Sequence, residues 1–536
     1  MNFRDFQDPG MKWRPAPFWS INDRLDSTEC ARQMTDMLDA GMSGAFFHSR
    51  SGLVTDYLGE EWFAAMDASL AAAEEGGGFL WLYDEDRWPS GNAGGQITAL
   101  GNEYCSAFLR AELTPAGAEL YIDEDAPTTP RAAFIIERET TGDGLRIKTI
   151  RRILVEEISN HKDADRLILG HRYDMKTSYW GGESPANNLN PKSVQKFIEM
   201  THVKYAEHYR NSLGGTVPGI FTDEPQISFK PSEIPWYDGL PDKYMEWTGR
   251  NMWEDLPYLF FNGPEDRKIR LLIHRTINRQ FAEAFTKQIY DWCEANNMPH
   301  TGHFMCEDSL DSQIRYNGGS VMPHYRYEHI PGVDHLCRDT TPMLLTHKQV
   351  NSAARQLGRK RVLTEIFGVS RHTNTFADFR WIGDYNLVFG SNFFCPHLTL
   401  YSARGRRKRD YPPNWNYQQT YWKELRPLND YFTRVGDALA AGEAKVDILV
   451  LHPMDTATAG HRMAARSNIN LPREDYSAAY STDNSLRRTV DAIVNAGFDC
   501  DLGDETFLAE MGSIVDNKLV VGQMNYKIVV APPAQT

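Results

Sequence analysis

Short apolar runs that stop abruptly at polar residues, each followed by a stretch of helical spacing, constrain this chain more than any other feature of its sequence. The first run is PAPFWSIND, ending at Asn22 and Asp23. Asp26 then reads as a helix cap, with Glu29 three residues on, apolar residues at Met34, Met37 and Leu38, and Gly41 to end the helix. GAFFHSR (44–50), a helix over about 60–75 and GFLWLYDEDRWPSG repeat the unit. Each run is apolar on both faces, which suits a buried parallel strand. After a helix that begins at Pro191, with Asn190 as its cap, five more runs follow: PGIFTDEP (218–225), HTGHFMCED (300–308), VDHLCRDT (333–340), RVLTEIFG (361–368) and NFFCPHLTLYS (392–402). Eight strand–helix units predict an α/β fold, a (β/α)8 TIM-like barrel over 1–100 and 171–435, with its active site at the C-terminal ends of the strands.

Two segments depart from that rhythm. Between 101 and 170, RAAFIIERE and GLRIKTIRRILVEE alternate more strictly and are bounded by turn sequences such as TPAG and TTGDG. They predict an antiparallel β-rich insertion after the third barrel strand. From about 440, KVDILVLHP, SLRRTVDAIVNAG and NYKIVVAPPA read as strand, helix and strand of a partial flavodoxin-like α/β domain over 440–536. The last strand runs out where a covering helix is due, and a parallel sheet needs both faces covered, so the gene is expected to continue past Thr536.

Composition narrows the function classes. The 536 residues carry a formal net charge of −15, the wrong sign for a protein that binds nucleic acid through a basic face. No stretch approaches the length of a signal-peptide core or a membrane span, so no membrane partner is expected. The seven cysteines are scattered without a CxxC pair, which suggests neither a disulfide framework nor a structural zinc site and makes a reduced, cytoplasmic location the expectation.

Two strand ends carry the chemistry. FTDEP places Asp223 and Glu224 at the end of strand four, and LTEIFG places Glu365 near the end of strand seven, 141 residues beyond Glu224. Strands four and seven face each other across such a barrel, and two opposed carboxylates are what glycoside hydrolysis requires. Asp84 and Glu85 after strand three are candidate acceptors for sugar hydroxyls, with Arg87 and Trp88 to orient and stack against a sugar ring. His48, His303, His335 and His397 stand at strand ends as candidate hydroxyl-binding groups, or as ligands of a catalytic metal; no HExxH motif accompanies them. Arg338 joins the candidate sugar contacts. Arg404, Arg406, Arg407, Lys408 and Arg409 form a basic run after strand eight, either a solvated loop or a site for an acidic sugar, with Arg406 as its candidate contact.

RPAPFWSINDRLD, GMSGAFFHSRSGL, LWLYDEDRWPSG, GIFTDEP and LTEIFG together resemble the bacterial glycoside hydrolases related to the α-L-rhamnosidases of family 106, over about residues 10–430. The resemblance implies a barrel hydrolase working with two glutamates: Glu224 as general acid and Glu365 as base or nucleophile. The first strand, FWSIND, departs from the longer tryptophan run of the rhamnosidases and marks a divergent branch. The expectation is a glycosidase that removes a terminal sugar from a carbohydrate substrate and needs no cofactor. The alternatives are a metal-dependent barrel hydrolase, which chelation would inactivate, and a non-catalytic carbohydrate-binding barrel, which would need no acid pair.

Overall fold

The computed structural model describes residues 3–7, 9–123, 126–141, 144–340 and 343–534. Among these, parallel strands join in chain order into one sheet that curls into a nearly closed TIM-like barrel. The strands are Phe18–Ile21, Gly44–Ser49, Phe79–Tyr83, Ile220–Asp223, His300–His303, Ile330–His335, Leu363–Ile366 and an eighth in two pieces. The first piece, Phe393–Pro396, pairs with the seventh strand; the second, Thr399–Leu400, pairs with the first. The Ala16 N–H donates to the Phe394 carbonyl at 2.9 Å and ties the seam.

Along each strand the inward residues change character from bottom to top. Phe18, Phe46, Trp81, Phe221, Leu363 and Phe393 form a buried plug in the lower barrel. Ring centroids within it lie 4.7 Å (Phe18 to Phe221) and 5.1 Å (Phe46 to Trp81) apart. Two residues further along the same strands stand His48, Tyr83, Asp223, Glu365 and Cys395. The period of two keeps them on the inner face, so a titratable layer sits directly on an aromatic floor. The intervening residues Trp19, Phe47, Leu80, Leu82, Ile220, Val333 and Phe394 belong to the larger core between strands and helices.

The helices start where their side chains can cap them. The Asp26 carboxylate accepts the Glu29 N–H at 2.9 Å and opens Ser27–Asp39; Asn190 accepts the Lys192 N–H at 3.1 Å and opens Pro191–Met200. The apolar spacing after Pro191 predicts one helix to 210, but the backbone leaves helical angles at Thr201 (φ −121°, ψ −72°) and a separate helix runs His202–Tyr209. The long helical stretch after 265 is Asp266–Phe281 and Lys287–Ala295 joined by a π-turn over Ala282–Thr286.

A second sheet is antiparallel, in the order Gly144–Ile153, Thr129–Thr141, Asp165–Tyr173, Ala107–Thr114 and Glu233–Trp236. Its last strand comes from the loop after the fourth barrel strand, where Pro235 sits at an edge and leaves no neighbour without a donor. Ile448–His452 lies between Cys500–Asp504 and Ile528–Val530 in a third, parallel sheet, packed against the helix Ser477–Asn495. Gly512–Val515, Lys518–Val521 and Met524–Tyr526 form an antiparallel ribbon. Among the described residues no helix is long and apolar enough to cross a membrane.

Candidate active site

The site is built on His303. Gly302 precedes it, and a Cβ there would lie 2.1 Å from the Thr222 carbonyl, so only glycine lets the fifth strand approach the fourth this closely. The approach pairs His303 directly with Asp223. His303 Nε2 donates to Glu365 Oε2 at 2.7 Å and lies 3.5 Å from Asp223 Oδ1. Tyr83 donates its hydroxyl to Asp223 Oδ2 at 2.6 Å. Glu224 turns away from the strand through a left-handed backbone (φ +47°), which carries its side chain over the barrel mouth, where Trp88 Nε1 donates to its carboxylate. Asp334, on the sixth strand opposite Glu365 in register, completes the group, and its buried Oδ1 has no hydrogen-bond partner among the described residues.

These neighbours divide the protons unequally. Burial, and then the Asp223 charge, push the Glu224 carboxyl up to about 8. Burial and the charge of Glu365 raise Asp223 to about 6, and Asp334 is raised well above the usual range by burial and Glu365. Burial pushes Glu365 the same way, but the His303 hydrogen bond and charge, helped by His397 and Arg50, pull it below the usual value. His303 gains what Glu365 loses: burial disfavours its cation, yet Glu365, Asp334 and Asp223 hold its pKa well above normal. At neutral pH the group therefore contains a protonated Glu224 beside an ionised Glu365 paired with an imidazolium. Two carboxyl groups pushed apart in pKa can serve as a proton donor and a proton acceptor or nucleophile.

Of the other residues singled out by sequence, Trp88, His48 and His397 border this group, and the rest lie in the surrounding loops, on the surface or, for His335, facing out of the barrel. Glu85 is fully buried; its two oxygens accept the backbone N–H groups of Asp86, Gly91, Asn92, Ala93 and Gly94 at 2.6–3.0 Å. With every lone pair taken it shapes the loop after strand three and is not a sugar contact. Asp84, also fully buried, accepts from Ser90 Oγ and Thr222 Oγ1 at 2.6 Å and ties that loop to strand four, which likewise corrects its reading as a sugar contact. Trp88 holds Glu224, and Arg87 lies over the Tyr179 ring at 5.2 Å on the rim. His48 is buried against Tyr83, the ring centroids 3.6 Å apart and the planes tilted by 34°; burial and Arg50 push its pKa well down, so it is neutral. His397 Nε2 lies 3.8 Å from Glu365. His335 faces outward, towards His347 and Asn386. Arg338 is exposed and paired with Asp378, away from the cluster. In the basic run Arg406 is exposed, whereas Arg407 donates to the carbonyls of Asn22 and Gly52 and pins the run against the first two strand ends.

Sequence reasoning passed over Asp334, Tyr83, Arg50 and Asp410. Counting by twos from the inward Gly332 would have exposed Asp334, and from Trp81, Tyr83. Arg50 donates from Nε and Nη2 to Asp410 at 2.9 and 2.7 Å, and no local pattern announces a partner 360 residues away. Asp223, His303 and Glu365 each bring one ligand atom within 4.8 Å of one another, as do Glu224, His303 and Asp334, so the same groups have the spacing of a cation site.

The chain matches no protein-family model and no curated protein. Its structure is similar to solved ones. A rhamnosidase from Novosphingobium sp. PP1Y matches with a TM-score of 0.67 at 12% identity, over 99% of this chain and 67% of that protein. A β-galactosidase from Rahnella sp. R3 matches with 0.53 at 12% identity, over 97% and 68%. Gan42B, a GH42 β-galactosidase from G. stearothermophilus, matches with 0.55 at 10% identity, over 91% and 66%. At these identities the likeness is one of fold: a TIM-like barrel of the kind these glycoside hydrolases carry.

Proposed function

We propose that the chain is a glycoside hydrolase that removes a terminal sugar, with Glu224 as general acid and Glu365 as base or nucleophile. The observation that carries this reading is the divergence of the two glutamates, one raised to about 8 and the other lowered by its bond to His303. A leaving sugar oxygen needs a proton at the moment the bond breaks, and a carboxyl with a pKa near neutrality can supply it. On the opposite side an ionised carboxylate meets the developing positive charge at the anomeric carbon, or takes the proton of an attacking water. Tyr83 and His303 fix Asp223 and Glu365 in place, and Trp88 fixes Glu224. The similarity of fold to a rhamnosidase and to β-galactosidases supports the hydrolase class, and the LWLYDEDRWPSG, GIFTDEP and LTEIFG segments make rhamnosides the first substrates to try.

The spacing of the two triads favours, as a second reading, a divalent cation held by Asp223, His303 and Glu365. It would have to displace the 2.7 Å bond from His303 to Glu365 and strip a proton from an imidazole whose pKa is raised, so the acid-pair reading is the stronger one. A panel of nitrophenyl glycosides, with and without chelator, tests both. Release of nitrophenol from one glycoside, insensitive to chelator, is the expected result; activity that chelator abolishes would transfer the reading to the cation, and no release from any glycoside would count against hydrolysis.

A further inference from the structure

A cleft of about 610 Å³ lies where the antiparallel sheet, the helix Asp266–Phe281 and the segment 460–481 meet, and none of its lining residues belongs to the strand-end site. Arg146, Arg267, Arg270 and Arg462 line it, against the two carboxylates Asp266 and Asp475. Four cations thus share two carboxylates, and two of the four, Arg270 and Arg462, are buried with mostly neutral groups as hydrogen-bond acceptors. Arg270 is only 4% exposed; its Nε and Nη2 donate to the carbonyls of Tyr258 and Phe261 and to Asn262 Oδ1, all neutral, and its nearest carboxylate, Asp266, is 3.5 Å away. Arg462 is 8% exposed and donates from Nη2 to the Arg473 carbonyl at 3.3 Å. Arg267 Nη2 is buried with no hydrogen-bond partner among the described residues. Burial, with Arg462 and Arg267 nearby, pulls even the Arg270 guanidinium down to about 10, against the support of Asp266 and Asp475.

Neutral carbonyls satisfy N–H groups but do not balance charge, so with two carboxylates among four guanidinium groups the cleft keeps an excess of positive charge, which is costly where it is buried. The wall gains further positive potential from the helix Asp266–Phe281, which starts here without a side-chain cap. The start of Ser477–Asn495 lies on the same wall, with Asp475 already accepting the Ser477 N–H at 2.9 Å. Guanidinium groups grip phosphate and carboxylate oxygens in pairs, and the volume admits a small molecule.

We infer that this cleft binds a compact polyanion, carrying phosphate or several carboxylates, which clips the three segments together. The probes are inorganic pyrophosphate and citrate, titrated calorimetrically into the full chain at an ionic strength fixed with chloride. One anion per chain should bind saturably, and Arg146→Gln and Arg267→Gln should each weaken it by about tenfold or more. Preference for pyrophosphate would assign the site to phosphoryl groups, and preference for citrate to carboxylates. Arg267→Gln removes a like charge from beside Arg270, so without anion it should melt no lower than the parent. No saturable binding of either probe at low millimolar concentration, unchanged binding in both variants, or a clear drop in melting temperature for anion-free Arg267→Gln would each overturn the inference.

Discussion

Replacing Glu224 by glutamine should make the protein more stable at neutral pH. In the unfolded chain this carboxyl titrates near 4.5; in the folded protein burial and Asp223 raise it to about 8. An acid whose pKa is raised on folding gives its full stability below the unfolded value and loses it as pH climbs towards the folded one. At pH 7 the unfolded state has released the proton and the folded state has kept it, across about 2.5 units at about 1.4 kcal/mol each, so the penalty is about 3 kcal/mol. The amide retains the shape and an oxygen for the Trp88 N–H, and has no proton to hold. Urea denaturation of parent and Glu224→Gln should show a gain of about 2–3 kcal/mol at pH 7 that shrinks to a few tenths at pH 4.5. Glu365→Gln should behave in the opposite way. Its lowered pKa stabilises the fold above the unfolded value and loses that effect as pH falls through the folded one, and the amide strands the His303 cation, at a loss of about 3 kcal/mol or more at pH 7. A Glu224→Gln variant less stable than the parent at pH 7, or a gain that does not change with pH, would refute the reasoning.

Three further outcomes follow from the same contacts. The alkaline limb of kcat/KM should fall near pH 8 as Glu224 loses its proton, and Asp223→Asn should move that limb to lower pH by removing the adjacent charge; a limb that stays put would separate Glu224 from the reaction. Glu85→Ala leaves five N–H groups, three of them buried, without an acceptor and should lower stability by about 3 kcal/mol or more in denaturant melts, with loss of activity as Trp88 loosens. Gly302→Ala drives a Cβ to 2.1 Å from the Thr222 carbonyl and should reduce the melting temperature by an amount equivalent to about 1–3 kcal/mol, whereas Arg406→Glu on the exposed run should leave it within about 0.5 kcal/mol.

The barrel was legible because a buried parallel strand writes itself as a short apolar run, and its C-terminal end as the polar residue that stops the run. FTDEP and LTEIFG therefore mark Asp223, Glu224 and Glu365 as strand-end acids in the sequence itself. Pairing across long separations was not legible. Nothing in EIPW marks Glu233–Trp236 as the edge of a sheet whose other strands lie before residue 174, since four residues with a proline carry almost no strand signal. The third strand's acids misled for a related reason. A carboxylate before GNAGG looks available for a ligand until the loop's own amides are seen to converge on it. Thr201 also leaves helical backbone angles (φ −121°, ψ −72°) in a stretch whose apolar spacing continues without a break, so the pattern alone does not mark the end of the helix.

The most direct measurement of the central claim compares leaving groups. A general acid matters most when the departing oxygen is strongly basic, and least when it leaves readily as a stabilised phenolate. On whichever glycoside the parent hydrolyses, Glu224→Gln should lose kcat/KM by a factor of at least about 100 with an alkyl or sugar leaving group and far less with a dinitrophenyl one. Glu365→Gln should lose activity on both alike. Equal losses for the two substrates in Glu224→Gln, or near-parental activity in either variant, would contradict the assignment of Glu224 as acid and Glu365 as its partner.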